Sequence, residues 1–234
     1  MEKLGIYYIA TSNYKDGFNA FRDKIRYFMP NMQKTIIVLS DGLEEHNLTS
    51  CDNVNIVVHK IEHLPWPLIT LLKFHYIYNH KNNDFDYICY CNADLQFNTN
   101  CFTYQFNKDK INLSAHVNSH GFEIVDDFKF AYTKNQLSTA YIETCYKYCM
   151  AGFVYGPSKL FYNMCKDIMD MTNKDLMNNI IAERHDESYL NKWAIENKDK
   201  CCAPVKFMTK DENDFNIPFV IKETFVKDKD IVLE

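Results

Sequence analysis

The chain lacks any apolar run approaching the ~20 residues that a membrane-crossing helix needs, so a transmembrane segment is not expected. That leaves at most a peripheral contact with a membrane surface. The opening Met1-Glu2-Lys3-Leu4-Gly5 is too polar for a signal peptide and runs straight into strand-like residues, so a cytoplasmic protein is expected. Glycine is scarce, at 6 of 234 residues, and no Gly-rich loop is followed by a lysine, as a phosphate-cradling loop would require. No basic stripe exists. The 26 Lys and Arg are scattered among 31 Asp and Glu, which argues against nucleic acid as a partner. Zinc-type spacing is also missing. Nine cysteines, an odd number, include Cys89-x-Cys91, Cys145-x3-Cys149 and the adjacent Cys201-Cys202. Several sit in apolar runs, where Cys behaves as a small hydrophobe, so reduced thiols are expected. Neither an internal repeat nor a low-complexity block marks a linker, so one domain over 1–234 is expected.

What is present suits a layered core. Hydrophobic residues make up 47% and charged residues 24%, an ordinary globular balance. Ile6 to Ala10 reads as a strand that breaks at Thr11-Ser12-Asn13, a cluster able to cap a helix. Apolar residues at 18, 21, 25 and 28 follow a helical period, and Pro30 stops it. Strands are predicted over 35–39 and 54–58. A helix is predicted over 68–78 with Lys73 near its middle, after the punctuated Leu64-Pro-Trp-Pro67. Further on, 111–117 alternates loosely as a strand, 140–155 carries short strand-like pieces, and helices are predicted over 158–171, 176–182 and from Arg184. This alternation implies an α/β domain with some parallel pairing.

Two stretches carry chemistry. Tyr87 to Cys91 is a continuous apolar run that ends abruptly at Asn92-Ala93-Asp94. Side chains two apart on an extended chain share a face, so Asn92 and Asp94 are able to aim at one point. Ligands of open α/β sheets bind beyond the carboxyl ends of strands. A simple turn accounts for the same residues. The second stretch is His185-Asp186-Glu187-Ser188, ahead of Tyr189, Leu190, Trp193 and Ala194. A helix N-terminus favours ionised carboxylates, and an ionised Glu beside a sugar's anomeric carbon acts as nucleophile or ion-pair stabiliser. Ordinary capping by Asp186 or Ser188 is the plainer alternative.

Taken together the segments resemble glycosyltransferase family 6, the retaining α1,3-galactosyl- and N-acetylgalactosaminyltransferases that include the blood-group A and B enzymes. His185-Asp186-Glu187-Ser188-x-Leu190-Asn191-Lys192 carries most of the resemblance. Ser138-x-Ala140-Tyr141-Ile142, with Phe130-x-Tyr132 before it, matches a second motif. Trp66 and Lys73 fall where the family has Trp and Arg. Cys149-Met-Ala151-Gly-Phe-Val-Tyr-Gly-Pro157 lies over the segment that reads the donor and acceptor sugars. The matches run from about Ile9 to Trp193. Lacking a membrane anchor and stem, the chain is similar to the short bacterial members.

The resemblance implies a GT-A-type domain with a mixed, mostly parallel sheet flanked by helices. It implies a nucleotide-sugar-binding half over 1–100, an acceptor and catalytic half over 101–200, and a C-terminal segment over 201–234 that closes over a diphosphate. The implied partners are a UDP-sugar and an oligosaccharide acceptor; the oligomeric state is left open. Glu187 would be the catalytic carboxylate, and Asp186 and His185 would hold donor-sugar hydroxyls. Tyr14 and Ala10, flanked by Ile9 and Thr11, would hold uracil, with Lys73 near the ribose or sugar. Ala151 reads the donor sugar, and Ala at that place goes with galactose. His116 and Arg184 stand where animal members have acceptor-contacting Trp residues; Cys149 also differs from both blood-group enzymes.

Animal members bind Mn²⁺ with Asp-x-Asp, whereas several bacterial ones have Asn-x-Asn and need no metal. Asn92-Ala93-Asp94 is a hybrid. A hard cation prefers anionic oxygens, so the expectation is no cofactor, with Asp94 the ligand if Mn²⁺ is used. Lys222, Lys227 and Lys229 would then supply positive charge. Two rivals carry other predictions. A nucleotidyltransferase needs a metal-carboxylate cluster and a basic triphosphate loop, and the sequence offers neither. A non-catalytic sugar-binding protein has no need of the Asp186-Glu187 pair.

Overall fold

The computed structural model describes residues 1–45, 48, 53–101, 104–115, 133–143 and 148–222. Strand β1 (Lys3–Ala10) lies inside a six-stranded sheet and is buried at every residue but its first. β2 (Gln33–Ser40) flanks it on one side and β4 (Tyr87–Cys91) on the other, both parallel. β3 (Val54–Lys60) extends the parallel run beyond β2. Continuous apolar strands of this kind are expected where helices or a second layer cover both sheet faces. Beyond β4 the sheet turns mixed. β7 (Cys149–Pro157) pairs antiparallel with β4 and with β6 (Asn112–Ala115). Its antiparallel course is what brings Cys149 and Ala151 to the carboxyl end of β4, since Phe153 is already the partner of Cys91.

Side chains alternate across β1 between two cores. Tyr7 and Ile9 pack on one face with Phe74, Ile77, Phe161, Ile168, Leu190 and Trp193. These come from α3 (Lys73–Asn79), α4 (Ser158–Met177) and α5 (Asp186–Glu196). Leu4, Ile6, Tyr8 and Ala10 pack on the other face with Phe18, Phe21 and Ile25 of α1 (Phe18–Ile25). That second core also holds Phe97 and Phe219 from a small sheet of β5 (Leu95–Phe97), β8 (Met208–Thr209) and β9 (Phe219–Ile221). Each such aromatic or aliphatic side chain contributes about 1.5–3 kcal/mol when fully buried. The layering is the mixed α/β architecture expected from the sequence and fits a GT-A-type domain.

Several element boundaries differ from the sequence reading. The helix expected over 68–78 is two short ones, α2 (Leu68–Leu71) and α3, broken at Leu72, whose ψ of 10° leaves the helical range. The helices expected over 158–171 and 176–182 are replaced by α4, which runs unbroken to Met177 and then stops. Asp175 explains why α4 continues: it is buried and bonded rather than solvated. The short pieces expected over 140–155 include one nine-residue strand, β7. The seven cysteines described are free thiols. Cys89 and Cys91, on one face of β4, have sulfurs 3.4 Å apart in van der Waals and weak hydrogen-bond contact.

Candidate active site

The carboxyl ends of β1 and β4 open into a cavity of about 400 Å³. Ile9, Thr11 and Tyr14 form one wall, Trp66 and Lys73 another, and Asn92, Ala93 and Asp94 the floor by β4. The polar strand end is held in place from three sides. Asn92 N–H donates to Gly152 O at 2.8 Å, tying it to β7. The Tyr90 hydroxyl donates to Asn92 Oδ1 at 2.9 Å. The Tyr8 hydroxyl donates to Ala93 O at 3.0 Å. Gly152 permits this close approach: a Cβ there would stand 3.0 Å from Met208 Sδ and 3.4 Å from Asn92 Nδ2. Asp94 also anchors the C-terminal region, since Lys222 N–H donates to its carbonyl at 2.8 Å where β9 leaves β5.

Behind the cavity lies a buried ion pair. Lys73 Nζ donates to Asp186 Oδ2 at 2.5 Å and to Ala151 O at 2.9 Å, and lies 4.5 Å from the Tyr90 ring centroid. Both charged residues are at most 3% exposed. The break at Leu72 makes Lys73 the first residue of α3, where its long side chain reaches across to α5 and β7. Breaking a buried pair by removing one partner typically costs about 3–5 kcal/mol, because a charge is then stranded.

Glu187 sits next to that pair with both carboxylate oxygens engaged. Oε1 accepts from Ala151 N–H at 3.1 Å, and Oε2 accepts a short hydrogen bond from the Tyr148 hydroxyl. Burial pushes the Glu187 carboxyl above the usual carboxylate range, and Asp186 adds to the rise. The Tyr148 hydroxyl, Ala151 N–H and Lys73 favour the ionised form and pull the other way. Asn191, one turn along α5, locks the helix to β7. Its Oδ1 accepts from Cys149 N–H at 2.9 Å, and its Nδ2 donates to Cys149 O and Glu187 O, each at 2.8 Å. His185 heads α5 at φ 49°, a region that residues with a Cβ seldom occupy. Its ring stands edge-on to Trp66, with centroids 5.0 Å apart, and burial lowers its pKa.

Two clusters thus gather most of the expected residues. Ile9, Thr11, Tyr14, Lys73, Asn92, Ala93 and Asp94 line the cavity, while Ala151, Asp186 and Glu187 join it through Lys73. Ala10 does not line it. It is buried on the other sheet face, with its carbonyl accepting from Ser40 Oγ at 2.6 Å. Cys149 is buried and fixed by its backbone, and Arg184 is exposed at the start of the turn into α5. His116, Phe130, Tyr132, Lys227 and Lys229 lie outside the described residues. Lys222 is described, and its Nζ forms a short ion pair with Glu212.

Sequence reasoning missed Tyr148, Asn191 as a clamp, and Asp175. Asp175 accepts from Ser138 Oγ at 2.5 Å, Thr139 N–H at 2.8 Å and the Tyr189 hydroxyl at 2.9 Å. The spacing of Asn191 from Glu187 by one helical turn was a usable signal; nothing local marked Tyr148 or Asp175.

As a cation site the β4 end is poorly equipped. It offers one carboxylate and an amide oxygen already bonded to Tyr90. No three His, Cys, Asp or Glu side chains converge to hold a metal among the described residues. No helix among the described residues is long and apolar enough to cross a membrane.

Comparison with known proteins gives the family. A sequence profile of glycosyltransferase family 6 matches residues 9–225, spanning both halves of the site. The chain is also 29% identical to the O-antigen biosynthesis glycosyltransferase WbnI of Escherichia coli, across 83% of each protein. That match covers well over half of the chain: the chain belongs to glycosyltransferase family 6.

Proposed function

We propose that this glycosyltransferase moves galactose or N-acetylgalactosamine from a UDP-sugar to the 3-hydroxyl of a galactoside, with retention, forming an α1,3 linkage. The acceptor is read as fucosylated, from the family resemblance. The name of the E. coli relative supports a product that belongs to an O-antigen-type glycan. The observation that carries the reading is Glu187: a largely buried carboxylate with both oxygens oriented, beside the cavity and next to a neutralised Asp186. A carboxylate so placed stabilises a cationic anomeric carbon, whether by bonding to it or as an ion pair. Asp186, held by Lys73, and His185 bind donor-sugar hydroxyls. Tyr14, Ile9 and Thr11 receive the base.

The reaction runs without a tightly held metal. A departing diphosphate develops charge that must be neutralised, and the hybrid Asn92-Ala93-Asp94 offers one hard anionic ligand. Lysine charge from the C-terminal segment takes that role. Ala151 favours galactose over N-acetylgalactosamine.

The test is release of UDP from UDP-galactose or UDP-N-acetylgalactosamine with fucosylated lactose as acceptor. Wild-type protein is expected to turn over, and Glu187→Gln to lose at least roughly 100-fold in kcat. Undiminished turnover in Glu187→Gln would remove the catalytic role from this carboxylate.

A further inference from the structure

We infer that Tyr148 is the positioning residue of Glu187, and that the Ser138-Thr139-Ala140-Tyr141-Ile142 segment exists to hold Tyr148 in place. The inference rests on the reading of Glu187 as the catalytic carboxylate. Its own observations are separate from that reading.

Tyr148 is 9% exposed, yet it belongs to neither of the two main cores. Among the described residues its ring packs in a small satellite with Ile142 and Met150. Burial of an aromatic ring in the main core therefore does not explain it. What it does is donate its hydroxyl to Glu187 Oε2, opposite the Ala151 N–H on Oε1. Two donors on two oxygens fix the carboxylate plane, which a single donor leaves free to rotate. The backing for this contact runs through Asp175. One buried carboxylate receives Ser138 Oγ and Thr139 N–H from the motif and the Tyr189 hydroxyl from α5, two residues beyond Glu187. Both partners of the Tyr148–Glu187 bond are thereby referenced to the same anchor: Ile142 packs on Tyr148, and Tyr189 sits on the helix that bears Glu187.

The bond has a consequence for pH. A hydroxyl donating to a carboxylate favours its charged form. Lys73 acts in the same direction, whereas burial and Asp186 oppose it. Cys149 and His185 also face this locality, the first buried as a thiol and the second with its pKa lowered by burial. Without Tyr148 the balance tips, and Glu187 holds its proton to higher pH.

Tyr148→Phe keeps the ring and removes the hydroxyl. Expected are a fall in kcat of roughly 10- to 100-fold, as for loss of a hydrogen bond to a charged group, and a donor KM within about threefold of wild type. The acid limb of the kcat profile should move to higher pH. Ile142→Ala should give a smaller change in the same directions. In a Glu187→Gln background, adding Tyr148→Phe should lower kcat no further, because the two act as one unit. A wild-type kcat and an unmoved acid limb in Tyr148→Phe overturn the inference while leaving Glu187 untouched. Wild-type turnover in Glu187→Gln alone sinks the underlying reading instead. Should Tyr148→Phe fold poorly, Ile142→Ala and its acid limb decide the matter, since a merely structural role lowers the melting temperature without moving that limb.

Discussion

Burial and a neighbouring carboxylate both oppose the charged form of Glu187 and raise its pKa, and its hydrogen bonds only partly offset them. For an acid whose folded pKa is raised, the associated stability is complete below the ordinary carboxylate value. It is lost as pH rises through the raised folded value. At neutral pH the charged form therefore detracts from stability. Gln is nearly isosteric and keeps both contacts: its Oε1 accepts from Ala151 N–H, and its Nε2 donates to the Tyr148 oxygen. Glu187→Gln, expected to lose most of its activity, should accordingly melt higher than wild type at pH 7, by about 2–4 °C per kcal/mol regained. The gain should shrink as pH falls into the carboxylate range. Calorimetry at pH 7 and pH 4 checks this; a variant that melts lower at pH 7 would show that the charge is better solvated than its burial implies. Such a trade of stability for activity is common where a site needs a strained or desolvated group.

At the level of elements, the site depends on how α5 meets β7. Asn191 supplies that junction with two hydrogen bonds to the backbone of Cys149 and adds a third, within α5, to Glu187 O. Asn191→Ala strands a buried N–H and a buried C=O, each costing about 1–3 kcal/mol. A loss of roughly 2–4 kcal/mol is expected, read as a lower urea midpoint with an unchanged slope. Asn191→Asp should fare no better, because a carboxylate has no donor for Cys149 O. This junction also explains what the sequence disclosed and what it hid. β1, β2, β3 and β4 were legible because buried parallel strands read as continuous apolar runs closed by polar residues. α1 was legible from its period. The break at Leu72 was not, because Leu68 to Tyr78 is mostly apolar with no Gly or Pro to mark an end, and the interruption serves Lys73, whose partner Asp186 lies 113 residues away. The continuity of α4 was hidden by Thr172, Asn173 and Asp175, polar residues that read as a terminus but include two buried ones. Tyr148 and Asp175 were invisible for the same reason: their importance is a long-range hydrogen bond, and nothing local records it.

Across the whole molecule, charge is the property that decides how the diphosphate of the proposed UDP-sugar donor would be handled. The chain carries a formal net charge of -5, so an anionic donor is not drawn in by the protein as a whole and needs local cations. Among the described residues Lys73 is buried by the cavity but already shared between Asp186 and Ala151 O. Lys222, the last described residue, is tied by its backbone to Asp94 beside the cavity floor, at the point where β9 leaves β5, and Lys227 and Lys229 follow it in the sequence. Two arrangements compete at this point. A divalent ion would have to bind through Asp94 and an amide oxygen already occupied by Tyr90. Lysines need no coordination geometry and are close by in the chain. Transfer should therefore continue within about twofold of its initial rate in excess EDTA, given so weak a hard-ligand set. In the same assay Lys227→Gln with Lys229→Gln should raise donor KM roughly five- to tenfold, about 1 kcal/mol or slightly more of lost binding. The effect should weaken as salt is added, because exposed charges are screened. Collapse of activity in EDTA with recovery on Mn²⁺, and no effect of the two lysines, would assign the diphosphate to a metal held by Asp94. It would also mean that Tyr90 releases Asn92 when the donor binds.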